Sequence, residues 1–198
     1  MPSSGIHFPL LRAYLLFLSP ANCVFFETNL NIFRTFVMTA KKWIERLSLM
    51  PHPEGGFFRE IYRSEDTFML PSGPEGEPSP RSMSTAIYFL LCKGNHSRFH
   101  RLKSDEVWHH YDGAAVALHS ITPEGDLKTV LLGKEEEMTA VPQIVMPKGT
   151  WFAAEVANDG DYALVGCTVA PGFDFLDFEL ADHSFYEMYP FDTVRRLL

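Results

Sequence analysis

The sequence predicts a mainly β domain, a sandwich or closed barrel, with a short helix before it and a helical tail after it. Three observations carry that expectation. Short runs rich in Val, Ile, Phe and Tyr recur from residue 57 onward. Clusters of Gly, Pro, Asn and Asp separate them at close intervals, the turn chemistry of many short strands rather than of βαβ units. The chain has 198 residues, 46% of them hydrophobic and 21% charged, enough for one domain with a sizeable core.

Residues 1–38 read as an extension outside that domain, which then spans 39–198 as a single unit. The stretch HFPLLRAYLLFLSPANCVFF (7–26) is apolar, but Arg12 and Pro20 interrupt it before it reaches the length of a membrane span. A secretory leader would want a basic segment ahead of its apolar run, and Arg12 stands in the wrong place. The expectation is therefore upstream sequence ahead of a start at Met38. TAKKWIERLSL (39–49) spaces Trp43, Ile44, Leu47 and Leu49 for one face of a helix, with Thr39 as its N-cap. MPHPEGG (50–56) stops that helix, since its two prolines and glycine pair cannot continue it. GFFREIYRS (56–64) alternates as a strand, and PSGPEGEPSP (71–80) is expected to be an exposed loop. Strands follow at 85–91, 97–102, 106–111, 115–122, 127–133, 143–147, 150–156 and 162–169. The aromatic tail from Phe173 is expected to pack back on the sheets and end in a short helix.

Net charge and cysteine usage narrow the function classes. Seventeen basic against 25 acidic residues give a net charge of −8, which disfavours nucleic-acid polymers and anionic membranes as partners. The three cysteines, Cys23, Cys92 and Cys167, show no paired spacing and read as thiols of a reducing, cytoplasmic compartment.

The chemistry concentrates in GNHSRFHRLKSDEVWHHYDG (94–113). In a strand alternate side chains share a face, so an inward Glu106 brings Trp108 and His110 with it, and His100 shares a face with Leu102. A carboxylate buried in a barrel costs several kcal/mol without a partner, and His100 is the nearest candidate. His100 and Glu106 are therefore the candidate catalytic pair, a minimal general-base arrangement, with a buried structural pair as the competing account. Trp108, His110 and Phe152 are candidate pocket walls, although the two aromatics fit the core better than a ligand-stacking role. His109 and His119 are expected at the surface, and His96 in a loop at the barrel mouth.

The spacing Gly94-x5-His100-x-Leu102-x3-Glu106-x6-Gly113 resembles the first cupin motif, with Leu where the motif has its second His. Three further blocks, PHPEGGFFREIYRS (51–64), VMPKGTW (145–151) and ALVGCTVAPGFDFLDFEL (163–180), complete a resemblance to the cupin-5 family over about residues 40–190. That resemblance implies a jelly-roll, or double-stranded β-helix, barrel that assembles as a homodimer around an internal pocket for a small molecule. It also implies similarity in fold to sugar-nucleotide epimerases, where a His at the position of His100 removes a proton beside a keto group and a Tyr opposite is the acid. Tyr62, Tyr88 and Tyr111 are the candidates for that acid. Arg59, Arg63, Arg98 and Arg101 are candidate phosphate grips for a nucleotide or sugar-nucleotide ligand, since a guanidinium offers paired donors. In the second cupin motif the His position holds Phe152 and the Asn position Val156. His110 cannot replace the missing donors, because four strand residues span about 13 Å. No metal cofactor is expected from this set. Three accounts follow: a metal-independent epimerase or isomerase, a non-catalytic carrier or sensor, and a metal-dependent cupin with an unusual ligand set.

Overall fold

The computed structural model describes residues 39–71, 77–134 and 139–198. The expected extension, 1–38, and Cys23 lie outside the described residues. Within them, β structure forms two facing six-stranded sheets and a separate two-stranded one. The first contains β1 (Met50–Pro51), β2 (Phe57–Arg63), β5 (Thr85–Cys92), β7 (Asp105–Gly113), β11 (Gln143–Met146) and β13 (Tyr162–Ala170), in the order β1-β2-β5-β13-β7-β11. The second contains β6 (His96–Leu102), β8 (Val116–Ile121), β9 (Leu127–Leu132), β10 (Ala140–Val141), β12 (Phe152–Val156) and β14 (Phe178–Leu180), in the order β10-β9-β8-β12-β6-β14. Pairing is antiparallel throughout the described residues except between β9 and β10.

Alternation decides what lies between the sheets. Along β13, Ala163, Val165 and Cys167 point inward and meet Phe89, Trp108, Leu118 and Phe152. Fully burying a side chain such as Phe89 or Phe152 contributes about 1.5–3 kcal/mol. The outer faces are covered as well. Helix α1 (Ala40–Leu47), capped by the Thr39 hydroxyl, packs Trp43, Ile44 and Leu47 on Leu90 and Leu164 of the first sheet. Asp112 fixes that helix by accepting from Trp43 Nε1 at 2.8 Å and from the Tyr162 hydroxyl at 2.7 Å. On the second sheet, α2 (His183–Met188) and α3 (Asp192–Arg196) press Phe185, Val194 and Leu197 onto Phe99, Ile121 and Ala153. No helix of the described residues is long and apolar enough to cross a membrane.

Three expectations need correction. Both ends of the expected loop 71–80 are strand, β3 (Thr67–Pro71) pairing with β4 (Pro78–Ser82), and residues 72–76 of it lie outside the described residues. Prolines are tolerated there because a two-stranded ribbon leaves half its N–H positions without a ladder partner. The tail does pack back and end in a short helix, as expected, with β14 pairing with β6 before the two helices. His119 is buried, with Nδ1 2.9 Å from Thr129 Oγ1 and Nε2 3.1 Å from Glu155 Oε1. The polar neighbours on β9 and β12 make burial tolerable for it. His96 opens β6 instead of lying in a loop.

Arg81 and Asp177 form the buried ion pair that ties the hairpin to the sandwich. Arg81 Nε donates to Asp177 Oδ2 at 2.5 Å and Nη2 to Oδ1 at 3.1 Å. A further nitrogen, Nη1, donates to Ser79 Oγ at 2.8 Å and the Pro80 carbonyl at 2.9 Å. Among the described residues, removing Arg81 leaves the buried Asp177 carboxylate only the half-exposed Lys103 ammonium at 3.6 Å. Breaking a buried pair costs about 3–5 kcal/mol, whereas replacing both partners with apolar groups is often close to neutral. We therefore expect Arg81→Ala to destabilise the protein by about 3 kcal/mol or more, and Arg81→Met with Asp177→Leu to recover most of that loss. Urea unfolding of the wild type, the single variant and the double variant checks both.

Candidate functional site

One end of the space between the sheets is a cavity of about 240 Å³. Strand alternation delivers Phe58 and Glu60 from β2, Ile87 and Phe89 from β5, His100 and Leu102 from β6, Glu106 from β7, and Cys167 and Val169 from β13. A β-bulge in β2 between Glu60 and Tyr62 shifts the alternation, so that Arg63 also borders the cavity. Two segments outside the strands complete it: the loop carrying His52 and Glu54, and Phe173–Phe175. Glu60, Arg63 and Asp174 are substantially exposed and form the mouth, while Glu54, His100 and Glu106 are buried inside.

The loop 52–56 is held against β6 by four contacts. The Arg98 amide donates to the Glu54 carbonyl at 2.9 Å, and the Gly56 amide to Asn95 Oδ1 at 2.8 Å. The Ser97 hydroxyl donates to Glu54 Oε1 at 2.8 Å, and Arg98 Nη2 to the Pro53 carbonyl at 2.8 Å. Gly55 is needed where it stands. Its φ is +116°, and a Cβ there would lie 2.0 Å from the His96 carbonyl oxygen.

Backbone contacts fix the protonation pattern of the two imidazoles. His100 Nδ1 lies 2.7 Å from the Arg98 carbonyl, which can only accept, so Nδ1 carries a proton and Nε2 faces the site. That Nε2 is 3.6 Å from Glu54 Oε2. His52 Nδ1 accepts from the Glu54 amide at 3.3 Å, so it is unprotonated, and the same Glu54 Oε2 lies 3.4 Å from it. Burial lowers the pKa of His100, the nearby Glu106 only partly opposing it, and burial lowers that of His52 too. Burial raises Glu54, and it raises Glu106 to about 7 despite His100. The Cys167 thiol is pushed up by burial and by both carboxylates, so it is no thiolate nucleophile at neutral pH. Glu106 Oε2 and Trp108 Nε1 are both buried without a hydrogen-bond partner, although the indole and the Cys167 thiol lie close enough to ease the carboxylate somewhat.

Of the residues singled out from the sequence, His100 and Glu106 meet in the cavity. Phe152 and Trp108 are fully buried: the Phe152 ring lies 4.2 Å from the His100 ring and forms the wall behind it. His110 faces inward, paired with Val165, but far up the strand, its Nε2 2.9 Å from the Ala114 carbonyl. Arg59, Tyr62 and Arg98 lie outside the cavity. The Arg59 guanidinium donates to the Leu47 carbonyl, Tyr62 is exposed, and Arg98 braces Pro53. Arg101 also lies outside, paired with Glu179 over the Trp151 ring. Tyr88 and Tyr111 pack on each other away from the cavity, with ring centroids 6.1 Å apart. Sequence reasoning missed His52 and Glu54, whose only signal was two ionisable residues in a Pro/Gly loop, and the wall Phe173–Phe175.

A cupin metal does not fit this donor set. Leu102 and Phe152 occupy positions where the motifs place imidazoles, and among the described residues no three His, Cys, Asp or Glu groups converge as an ion requires.

The likeness to known proteins extends over the whole described domain. A family model described as "Cupin superfamily (DUF985)" matches residues 41–181. An uncharacterised protein of Saccharomyces cerevisiae is 29% identical over 146 residues, 69% of this chain and 70% of its own. A solved structure from Shewanella oneidensis is 40% identical with a TM-score of 0.72, covering 81% of this chain and 98% of that one. A hypothetical protein from Leishmania major is 36% identical with a TM-score of 0.70, covering 81% and 97%. With the motif blocks, the two facing sheets and the internal cavity all in place, the chain belongs to the Cupin_5 family of the cupin superfamily.

Proposed function

We propose that the cavity binds a small polar molecule and transfers a proton at a carbon next to a carbonyl, as an epimerase or isomerase without a metal. One observation carries this reading: an imidazole fixed by a backbone carbonyl, its second nitrogen turned into a cavity that also holds two buried carboxyl groups. His100 Nε2 is the base. Burial keeps it neutral and ready to accept at neutral pH. Glu106, poised at about 7, is the acid. As the C–H bond breaks and His100 Nε2 takes the proton, the electron pair forms the enol double bond and Glu106 gives its proton to the carbonyl oxygen. His100 then returns a proton to the same carbon, giving solvent exchange, or in an enediol to the former carbonyl carbon, giving isomerisation, while Glu106 takes back the hydroxyl proton. The carboxyl takes the role that a tyrosine has in the epimerase comparison, because Tyr62, Tyr88 and Tyr111 do not border the cavity.

Proton abstraction leaves a mark in heavy water. Incubating the protein in D2O with aldoses, ketoses, amino sugars and sugar nucleotides is expected to place deuterium beside the carbonyl of at least one, read by mass spectrometry. His100→Ala should slow that incorporation by about 100-fold or more, the usual contribution of a positioned base. A compound that binds the cavity and acquires no deuterium would leave the site a carrier or sensor instead.

The Glu106 carboxyl also sets a pH dependence of stability. Its pKa rises from 4.5 unfolded to about 7 folded, so its favourable contribution is complete below pH 4.5 and is lost as pH rises through 7. The difference amounts to about 3 kcal/mol. In chemical denaturation from pH 4.5 to 8, Glu106→Gln should lack this component and become less pH-sensitive than the wild type over that interval.

A further inference from the structure

We infer that the cavity is built for a small organic cation, an amine the size of an amino alcohol or amino sugar. Its ammonium group would be held by Glu54 or Glu106 and by the faces of the surrounding aromatic rings. The inference rests on the reading of this cavity as a small-molecule site and names the class of molecule.

Charge is the first argument. Carboxyl groups of Glu54, Glu60, Glu106 and Asp174 border the cavity, and Arg63 is the one guanidinium or ammonium among the residues that line it. Arg63 is already committed: Nε and Nη2 donate to the two oxygens of Glu60 at 2.9 and 2.7 Å, and Nη1 to the Phe173 carbonyl at 3.1 Å. A phosphate or carboxylate ligand would find no uncommitted guanidinium or ammonium in that lining and would meet like charges. The second argument is the unpartnered Glu106 Oε2, buried in a residue that is 7% exposed and borders the cavity. A buried acceptor without a donor is costly, and an ammonium N–H supplies the missing donor. The third is the wall. Phe58, Phe89, Phe173 and Phe175 face the same space as the carboxyl groups, and aromatic faces attract a desolvated cation.

The groups around Glu106 define how binding couples to protons. They are His100 on β6, Glu54 on the loop, Cys167 on β13 and the Trp108 indole on its own strand, with the Glu60–Arg63 pair at the mouth. None of the inner groups is a fixed cation, so the empty cavity approaches neutrality by retaining protons. One ammonium replaces one of them and leaves the second carboxyl protonated: Glu106 stays the acid where Glu54 is the one ionised, and Glu54 takes that role where Glu106 is.

Titration calorimetry on the full chain tests this with pairs matched in shape and differing in charge: choline against 3,3-dimethylbutanol, and glucosamine against glucose. Each cation is expected to bind about tenfold or more tightly than its uncharged partner, an advantage of the size that ion pairing and aromatic faces supply. Below pH 7, binding in buffers of different ionisation enthalpy should show net proton release. Combining Glu54→Gln with Glu106→Gln should abolish the preference of each cation over its uncharged partner. Equal affinity within both pairs, no binding of either cation at millimolar concentration, or tighter binding of uridine diphosphate glucose than of both cations would overturn the inference. Its failure is separable from that of the proton-transfer reading. Deuterium exchange with an uncharged or anionic compound would refute the ligand class alone, and cation selectivity without exchange would refute the chemistry alone.

Discussion

Two carboxyl groups are buried beside two imidazoles at one end of an apolar sandwich, and the cost of ionising any of them there shapes the rest of the site. Helix α1 covers one sheet and the tail helices cover the other, so both sheets have protein on their outer faces as well as between them. Burial accordingly dominates the direction of shift at all four groups, carboxyl pKa values moving up and imidazole values down. The affinities of acid and base for a proton thereby converge. In water a glutamate is a weaker base than an imidazole by about two pK units, so it would not hold a proton beside one. In this cavity Glu106 sits near 7 while His100 is pushed down, so the carboxyl can hold a proton beside a neutral imidazole.

Much of the fold was legible because its signals are local. Strand alternation and turn chemistry are properties of a few consecutive residues, and the strands expected at 85–91, 97–102, 127–133 and 162–169 match the observed ones to within a residue or two at each end. The misses are places where distant chain decides. Pro71, Pro78 and Pro80 look like loop by composition, yet Arg81 clamps their hairpin to Asp177, nearly a hundred positions away in the chain. His119 has no ionisable residue beside it in sequence, and only the pairing of β8 with β9 and β12 brings Thr129 and Glu155 to it.

The site divides in the same way. His100 and Glu106 stand out because strand spacing places them on inward faces. Glu54 has no such periodicity. It enters the cavity because Gly55 and Gly56 turn the chain back and β6 holds the loop, which no pattern within PHPEGG announces. The arginines show the converse limit. Arg59 and Arg63 look alike in sequence, but a bulge between Glu60 and Tyr62 brings only Arg63 to the cavity.

Leu102 and Phe152 change the chemistry available rather than merely removing it. At the positions where a metal-binding cupin has imidazoles, they put carbon against His100. Phe152 pairs with His100 across β12 and β6, and Leu102 lines the cavity two residues further along the same strand. The same two carbon side chains therefore deepen the burial that lowers His100 and raises Glu106. Leu102 does a second thing. Its Cα partner across the sheet is Phe178 of β14, so the strand that carries His100 also anchors the segment running back through Asp177 to Phe175. His100 and the aromatic segment ahead of β14 are thus registered on one ladder, and the Arg81–Asp177 pair locks that ladder to the hairpin. A cavity assembled from so many separate stretches of chain keeps its shape because those stretches share a few anchoring strands and ion pairs, which is where an otherwise distant substitution would reach the chemistry.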